Sequence, residues 1–520
     1  MEADELHEVI ERLEHAEHEH HASLRATVTV LILIVTVLTA ITGLLAARAN
    51  RHNAEAQRER AVHTVEAQDL GQRSYELYGQ YLDLEAASTA AYQRYAIEHR
   101  LAVTGGSGNA ADLNREADEW NAQNGVFQDA FNKIDLAKED AAPTLPEQEA
   151  FSDARAADAW ISKEDANIGV AGLFAVCLFL LGLALTVPGR GVKWGFVGIA
   201  VLLAVLGLGR ALVVNLSSVH RVPDQALEAY HDGTVASYQG DNDKAVEEYR
   251  KAVDTDGGYT EGWIALAQAQ SGDETDKTAL REAASSYEKA IDLGEDGYVV
   301  HNNLGYVYLL LGDKDKAAQE IDTAHQLEPE EPFVLMSEAE VALVQGDEAT
   351  AQMWSDRAVE VLAKFDSAFR DQFFAQLRSA DRPALQTAGV PAERLQPIFD
   401  HLREVEASLD AFDSAEPRDL NGATLTSLDA VYQKDRGRYE ITFDQNNIHE
   451  GDITSVRIYN TADESYSVYS SSPRLDVATA GGSYHYTAHT PIDQGNYRIE
   501  LYLNGHFQTS TTVDSPGDGV

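Results

Sequence analysis

The sequence predicts a mainly α fold: three transmembrane helices and a helical loop domain, then a solenoid of helical hairpins and a small C-terminal antiparallel β-sandwich. Three observations carry this prediction. Long apolar runs interrupt the N-terminal part of the chain. Alanines then recur with a period near 34 residues. After Pro417 the hydropathy alternates every second residue, as in strands with one buried face.

The composition disfavours one class of partner and requires several structural units. At 520 residues the chain is too long for a single hydrophobic core. Its formal net charge is -45 and it has no run of lysines and arginines, so nucleic acid is a poor partner, because binding phosphates needs a basic surface. The acidity indicates solubility or adaptation to salt. The single cysteine, Cys177, lies in an apolar run and cannot form an internal disulfide.

Three apolar runs predict transmembrane helices at residues 26–47, 166–187 and 194–216. Runs of about 22 residues cross a hydrocarbon core of roughly 30 Å, at about 1.5 Å per residue. The first run follows an acidic segment and is longer than the centre of a cleavable signal peptide, which indicates an uncleaved anchor. The sequence therefore predicts an integral protein of the cell membrane, in contact with lipid.

Two groups of cations predict opposite orientations in the membrane. The turn at 188–193 carries Arg190 and Lys193 and no acid, which the positive-inside rule places in the cytoplasm. Arginines at positions 48, 51, 58 and 60 follow the first span and favour the reverse. We give the short turn precedence because the rule weakens for long loops. Residues 48–165 and everything after residue 216 are then extracytoplasmic.

Helices are also predicted on both sides of the first span. Residues 1–25 form an acidic, histidine-rich tail, for which metal binding is an alternative to a solvated or self-associating helix. Residues 48–165 form a coiled-coil-like loop domain of two or three long helices with a glycine-rich hinge at 105–108. With the segment 14–18, this layout resembles a family of small uncharacterised bacterial membrane proteins. That resemblance implies no activity.

Internal repetition between residues 226 and 365 is the strongest pattern in the chain. Alanine pairs seven residues apart occur at Ala245/Ala252, Ala283/Ala290, Ala317/Ala324 and Ala351/Ala358. A period near 34 residues with small side chains where two helices cross is what stacked helical hairpins need. In one unit Leu304, Gly305, Tyr308, Ala317, Ala324 and Pro329 stand at the spacing of the tetratricopeptide repeat (TPR), which the region resembles.

The resemblance implies an adaptor module whose first helices line a concave face that holds a protein partner. That face should include Tyr230, Thr234, Ile264, Gln268, Asn302, Tyr306, Met336 and Glu340. It lacks the basic residues that hold a terminal carboxylate, so that ligand class is disfavoured. The alternative is that these side chains are solvated or contact the C-terminal helices.

Glycine-aspartate turns at 240–243, 312–315 and 346–348 fall between the helices of a repeat. They are too short for calcium loops, and helix caps explain them better. Residues 366–415 are helical by pattern and predict a cap on the last repeat. Residues 417–515 predict the β-sandwich, with strands at 439–443, 456–459, 466–469, 484–486 and 497–503, a turn at Asn504-Gly505 and a last strand through Val513. Its end resembles immunoglobulin-like modules of cell-surface proteins.

These features favour a membrane-anchored interaction scaffold without catalysis, cofactor or metal. The chain lacks the GxSxG, HExxH and Walker motifs. An enzyme would have to use histidines of the β-domain such as His485, His489 and His506, which alternation alone does not bring together. The second hypothesis is a membrane sensor whose 48–165 domain binds a ligand. A homo-oligomer is left open.

Overall fold

A computed structural model describes residues 3–104, 110–131, 134–412, 414, 416–433, 438–449, 452–461, 466–471, 482–488 and 495–515. The chain divides into two compact units, Met1–Tyr259 and Thr260–Val520. The architecture is mainly helical, with three long apolar helices, TPR-like hairpins and a small antiparallel β-region at the C-terminus. The fold class predicted from the sequence is thereby confirmed.

The first unit is entirely helical in its described part. Its helices are α1 Ala3–Thr104, α2 Ala110–Phe131, α3 Leu136–Ala141, α4 Thr144–Thr186, α5 Arg190–Leu216, α6 Asp224–Tyr238 and α7 Asn242–Thr255.

The second unit contains helices followed by strands. The helices are α8 Thr260–Gln270, α9 Lys277–Asp292, α10 Tyr298–Leu311, α11 Lys314–Leu327, α12 Pro332–Gln345, α13 Glu348–Leu362, α14 Ser367–Gln376, a π-helical turn Leu377–Asp381, α15 Arg382–Thr387 and α16 Ala392–Phe412. The strands are β1 Thr424–Gln433, β2 Arg438–Asn446, β3 Thr454–Asn460, β4 Tyr466–Ser471, β5 Gly482–Ala488, β6 Gly495–Leu503 and β7 His506–Ser515.

The three apolar runs lie in α1, α4 and α5, each long and apolar enough to cross a membrane. These helices share a core that includes Val28, Phe174 and Ala200, while many of their other apolar side chains are exposed. Outward-facing apolar side chains are what a lipid-facing helix requires. Gly189, with φ of 99°, makes the turn between α4 and α5.

Helix α1 continues without interruption beyond the first apolar run. Its distal part lies against α2 and α4, and Ser74 donates a hydrogen bond to Asp140 at 2.5 Å. His63 Nδ1 lies 3.1 Å from an oxygen of Asp153 on α4. Residue numbers rise along α1 from His63 to Ser74 while those of their partners fall, so α1 and α4 run antiparallel. The predicted hinge at 105–108 lies outside the described residues.

The eight repeat alanines are buried at the helix crossings, as the 34-residue period requires. They are Ala245, Ala252, Ala283, Ala290, Ala317, Ala324, Ala351 and Ala358, each at most 1% exposed. Helices α14 to α16 continue the hydrophobic core of the second-unit hairpins through Phe373, Leu395 and Phe399. The helical segment after the repeats therefore packs on them.

Two sheets form the C-terminal β-region. Their strand orders are β1-β2-β5 and β4-β3-β6-β7, with every pair antiparallel. Ile441 and Phe443 of the first sheet share a core with Ile458, Ile499 and Leu501 of the second. This shared core makes the region a sandwich, as predicted.

Strand β1 was not among the strands that alternation identified. Its register shifts between Thr426 and Asp429, and Ser427 has φ of 59°. Such a bulge places the residues on either side of it out of phase, so the two-residue period disappears from the sequence. Of the three histidines considered for an enzyme, His489 and the side chain of His485 lie outside the described residues.

Candidate partner-binding surface

Helix caps fix the turns between the two helices of the repeat hairpins. Asp241 and Asp347 accept hydrogen bonds from the backbone N–H of Lys244 at 3.2 Å and of Thr350 at 3.1 Å. Gly312 and Gly346 end the preceding helices with φ of 85° and 96°. The turns at 240–243 and 346–348 thus join a helix end to a side-chain N-cap, the arrangement predicted instead of calcium loops, while Asp313 of the third turn makes no side-chain cap hydrogen bond.

Small residues let the two helices of a hairpin approach closely. A Cβ atom at Gly305 on α10 would lie 2.5 Å from Ile321 on α11, and one at Gly233 would lie 2.7 Å from the Tyr249 ring. Cβ atoms do not tolerate such distances, so glycine is required where these helices cross. The position of the first helix, and of the face it presents, depends on these contacts.

In the first unit, the two predicted site residues are engaged within the chain. The Tyr230 ring lies 5.4 Å from that of Tyr249 and 5.5 Å from that of Tyr259, between centroids. It also packs in a cluster with Leu145 near the start of α4. Thr234 Oγ1 lies 3.1 Å from Tyr249 Oη. Both side chains are half-buried, and they support packing of the first hairpin.

In the second unit, residues on α8 and α10 remain accessible. Gln268 is exposed, whereas Ile264 and Asn302 are half-buried. The amide oxygen of Asn302 has no hydrogen-bond partner among the described residues. A buried amide oxygen without a partner is unfavourable in a folded protein, and an N–H donor reaches it only when the half-buried side chain turns outward.

Two predicted site residues are not on an open face. Met336 and Glu340 of α12 are each only 2% exposed. Tyr306 is half-buried, and its hydroxyl donates to Glu274 Oε1 at 2.9 Å. The expectation of partner contact therefore has to be corrected for Met336 and Glu340, because the C-terminal helices pack here. This is the alternative left open by the sequence.

Glu340 meets Asp381, the last residue of the π-helical turn. Burial raises the pKa of Glu340 well above its ordinary value, and the neighbouring Asp381 raises it further. Burial also raises the pKa of Asp381 to about 6, opposed by hydrogen bonds from Gln376 and Glu340. Two buried carboxyl groups in contact are favourable only when they share a proton. Sequence reasoning missed Asp381, since no local pattern marks it.

Metal and cofactor sites were not predicted from the motifs. Within the part of the chain that the structure describes, no group of three His, Cys, Asp or Glu side chains has a geometry that could hold a metal ion. The side chains of the histidine-rich tail at 1–22 lie outside that part.

Residues 298–331 match the model of the tetratricopeptide repeat family. A search of curated proteins finds no match. Among solved structures, the thermophilic TPR protein TTC0263 of Thermus thermophilus is 25% identical over 36% of this chain and 95% of its own, with a TM-score of 0.26. MamA protein is 16% identical over 38% of this chain and 99% of its own, with a TM-score of 0.27. The family match spans α10 and α11 and supports a role in protein interaction.

Proposed function

We propose that the chain is a non-catalytic, membrane-anchored scaffold that binds a protein partner through its TPR hairpins. The observation that carries this proposal is the face of α8 and α10, with exposed Gln268 and half-buried Asn302, whose amide oxygen has no partner among the described residues. Asn302 lies inside the region matched by the repeat family at 298–331. The absence of hydrolase and nucleotide-binding motifs supports a role without catalysis.

The chemistry of this face limits the partner. Glu274 and Tyr306 stand beside it, and it carries no lysine or arginine among the predicted residues. An extended or helical segment that offers backbone N–H donors and neutral or basic side chains fits such a face. A segment that ends in a carboxylate does not, since nothing there compensates the negative charge.

Site-specific photocrosslinking tests the partner-binding face. A photoreactive residue at Gln268, in the membrane of the native host, should give a crosslinked protein that disappears when Asn302→Ala is added. The same probe at Asp292, exposed on the second helix of a hairpin, is the matched control and should not give this product. Equal products from both positions, or a product insensitive to Asn302→Ala, would refute the proposed face.

Membrane anchoring with the repeats and β-sandwich outside the cytoplasm is the second part of the proposal. The three apolar helices support the anchoring, and the cations of the 188–193 turn support the orientation. A Cys177→Ala chain carrying Asp514→Cys, exposed on β7, should react with an impermeant thiol reagent in intact cells. Protection until lysis would reverse the orientation and direct the search for a partner to the cytosol.

A cleft in the helical loop domain favours ligand sensing as a second candidate function. It has a volume of about 500 Å³, lies between α1 and α4, and has Ala67, Gly71 and Phe151 in its wall. Small side chains in the wall, beside an exposed aromatic ring, suit the binding of an apolar small molecule. Ligand-dependent protection of α1 from hydrogen exchange, using a panel of apolar solutes, would favour the sensor; unchanged exchange across the panel would remove it.

A further inference from the structure

The second unit contains a cavity of about 840 Å³ between the helices that follow the repeats and the outer face of the four-stranded sheet. Its wall is formed by α15 and α16 on one side and by β6 and β7 on the other. This volume lies in the range of small-molecule sites, which is about 300–1,000 Å³. Neither the sequence patterns nor the repeat family assigns it a role.

A chain of linked polar side chains runs along this wall. Arg382 donates to Gln396 at 3.1 Å, and Gln396 donates to Asp400 at 2.8 Å. Arg403 then joins Asp400 to Glu500, with 3.0 Å between Arg403 Nη1 and Glu500 Oε1. Donors and acceptors therefore alternate from the rim to the floor of the cavity.

The floor holds these groups in fixed positions. Glu500 is 2% exposed and accepts from Arg498 Nε at 2.8 Å and from the Tyr502 hydroxyl at 2.6 Å, in addition to Arg403. Charge-assisted hydrogen bonds of this kind lock side-chain orientation before a ligand arrives. Little conformational entropy is then lost on binding.

The charges of the wall are almost balanced, which disfavours a strongly charged ligand. Four arginines line the cavity together with three carboxylates, and Glu406, which lies behind the wall, joins Arg378 at 2.7 Å to the buried Arg457 at 2.9 Å. The whole chain, by contrast, has a net charge of -45. An anion would be repelled by Asp400 and Glu404, and a cation by the arginines. The wall suits a neutral ligand with many hydrogen-bonding groups.

The rim adds separate apolar groups and further neutral polar groups. Phe507 is 44% exposed and lines the cavity, as do exposed Gln386 and Pro383 on α15 and Pro397 on α16. The exposed Phe507 ring is set among the charged and polar side chains of the wall. It is sufficient for the C–H face of a sugar ring, whose hydroxyls each donate and accept hydrogen bonds.

We propose that this cavity binds a neutral saccharide, with its hydroxyls on the Arg382–Gln396–Asp400–Arg403 chain and on Gln386, and one ring face on Phe507. The saccharide is either a free oligosaccharide or part of a polymer at the cell surface. This cavity is separate from the proposed partner-binding face, since none of its lining residues lies on α8 or α10.

The test measures binding of neutral trisaccharides of glucose, mannose and N-acetylglucosamine to the full chain by saturation-transfer NMR and calorimetry. The chain is held in lipid nanodiscs, because many detergents carry sugar headgroups. We expect a Kd that changes less than twofold between low and high salt, since no net charge is neutralised. Gln386→Ala and Phe507→Ala should each weaken binding at least tenfold.

The matched control is Gln372→Ala, an exposed glutamine on α14 outside the cavity, which should bind as the parent chain does. Gln386→Ala separates loss of binding from misfolding, since this exposed side chain contributes no hydrogen bond to the fold described above. Binding of an insoluble glucan, mannan or chitin without the trisaccharide identifies the polymer as the source. The proposal is overturned when no saccharide of either form binds, when both cavity variants bind normally, or when only glucuronate or inorganic phosphate binds.

Discussion

Replacing Asp381 by asparagine removes one of two carboxyl groups that lie in contact between α12 and the π-helical turn. Its pKa is raised from 3.8 to about 6, first by burial, and it lies against Glu340, which is itself buried. The other groups that face the pair are Glu274, whose charge raises the pKa of both, Gln376, which donates to Asp381 at 3.4 Å, and Tyr306, whose own pKa is raised by burial and by both carboxylates.

The sign of the pH dependence follows from the direction of the shift. A carboxyl group whose pKa is higher in the folded state binds its proton more tightly there than when unfolded. Its contribution to stability is complete below pH 3.8 and is lost as the pH rises through about 6. The shift corresponds to about 3 kcal/mol. Part of this contribution is already lost at pH 4, so the contact between the π-helical turn and α12 should weaken by about 2 kcal/mol from pH 4 to pH 7.

Hydrogen exchange measured by mass spectrometry gives the local opening free energy of the α12 amides, which suits a chain with several units. The parent chain should lose about 2 kcal/mol of protection between pH 4 and pH 7 after correction for intrinsic exchange rates. Asp381→Asn should weaken this dependence and raise protection at pH 7, since an uncharged amide can hydrogen-bond Glu340 in either protonation state.

Glu393→Gln is the control, a carboxyl group on exposed α16 surface whose neutralisation should leave the pH dependence intact. Two results contradict the reasoning. One is protection in the parent chain that does not change with pH over this range. The other is a loss of protection at pH 7 in Asp381→Asn, which would mean that Asp381 is stabilised there as a carboxylate.

Three further predictions concern packing and buried charge. Gly305→Ala should destabilise the α10–α11 hairpin by about 1–3 kcal/mol, because the new methyl group overlaps Ile321, and exchange of these helices measures it. Lys163→Met removes hydrogen bonds to the Val214 and Ser217 carbonyls and should expose the C-terminal amides of α5 to exchange. Arg457→Met leaves a buried carboxylate 2.9 Å from the lost guanidinium and should lower the stability of the β-sandwich by about 3–5 kcal/mol, measured by hydrogen exchange of its strands.

Matched variants control these three predictions. Gly257→Ala places a methyl group 3.9 Å from the nearest atom, and should change exchange far less than Gly305→Ala. Lys138→Met and Arg281→Met each remove a cation that is exposed. Comparable losses in a variant and its control would show that the named contact does not provide the stability.

The sequence predicts the features of this chain that depend on local periodicity. Apolar runs long enough to cross a bilayer can be recognised in the sequence without a structure. Nearly every residue of such a run has to be apolar, because its side chain is surrounded by lipid and not by water. The alanine pairs, such as Ala317 and Ala324, identify the repeats because each hairpin meets its neighbour through the same positions. Gly312 marks a helix end because few other residues adopt its positive φ.

The tertiary structure decides what lies opposite each predicted face. Glu340 stands at a position of the repeat that pattern assigns to a partner, and only the fold brings Asp381 against it. Arg457 lies in a strand in which polar and apolar residues alternate. Its side chain is nevertheless fully buried, because it forms ion pairs with Glu406 and Asp410 of α16. Such contacts join segments that are far apart in sequence. They follow from how the helices after the repeats pack, and no short-range pattern contains that information.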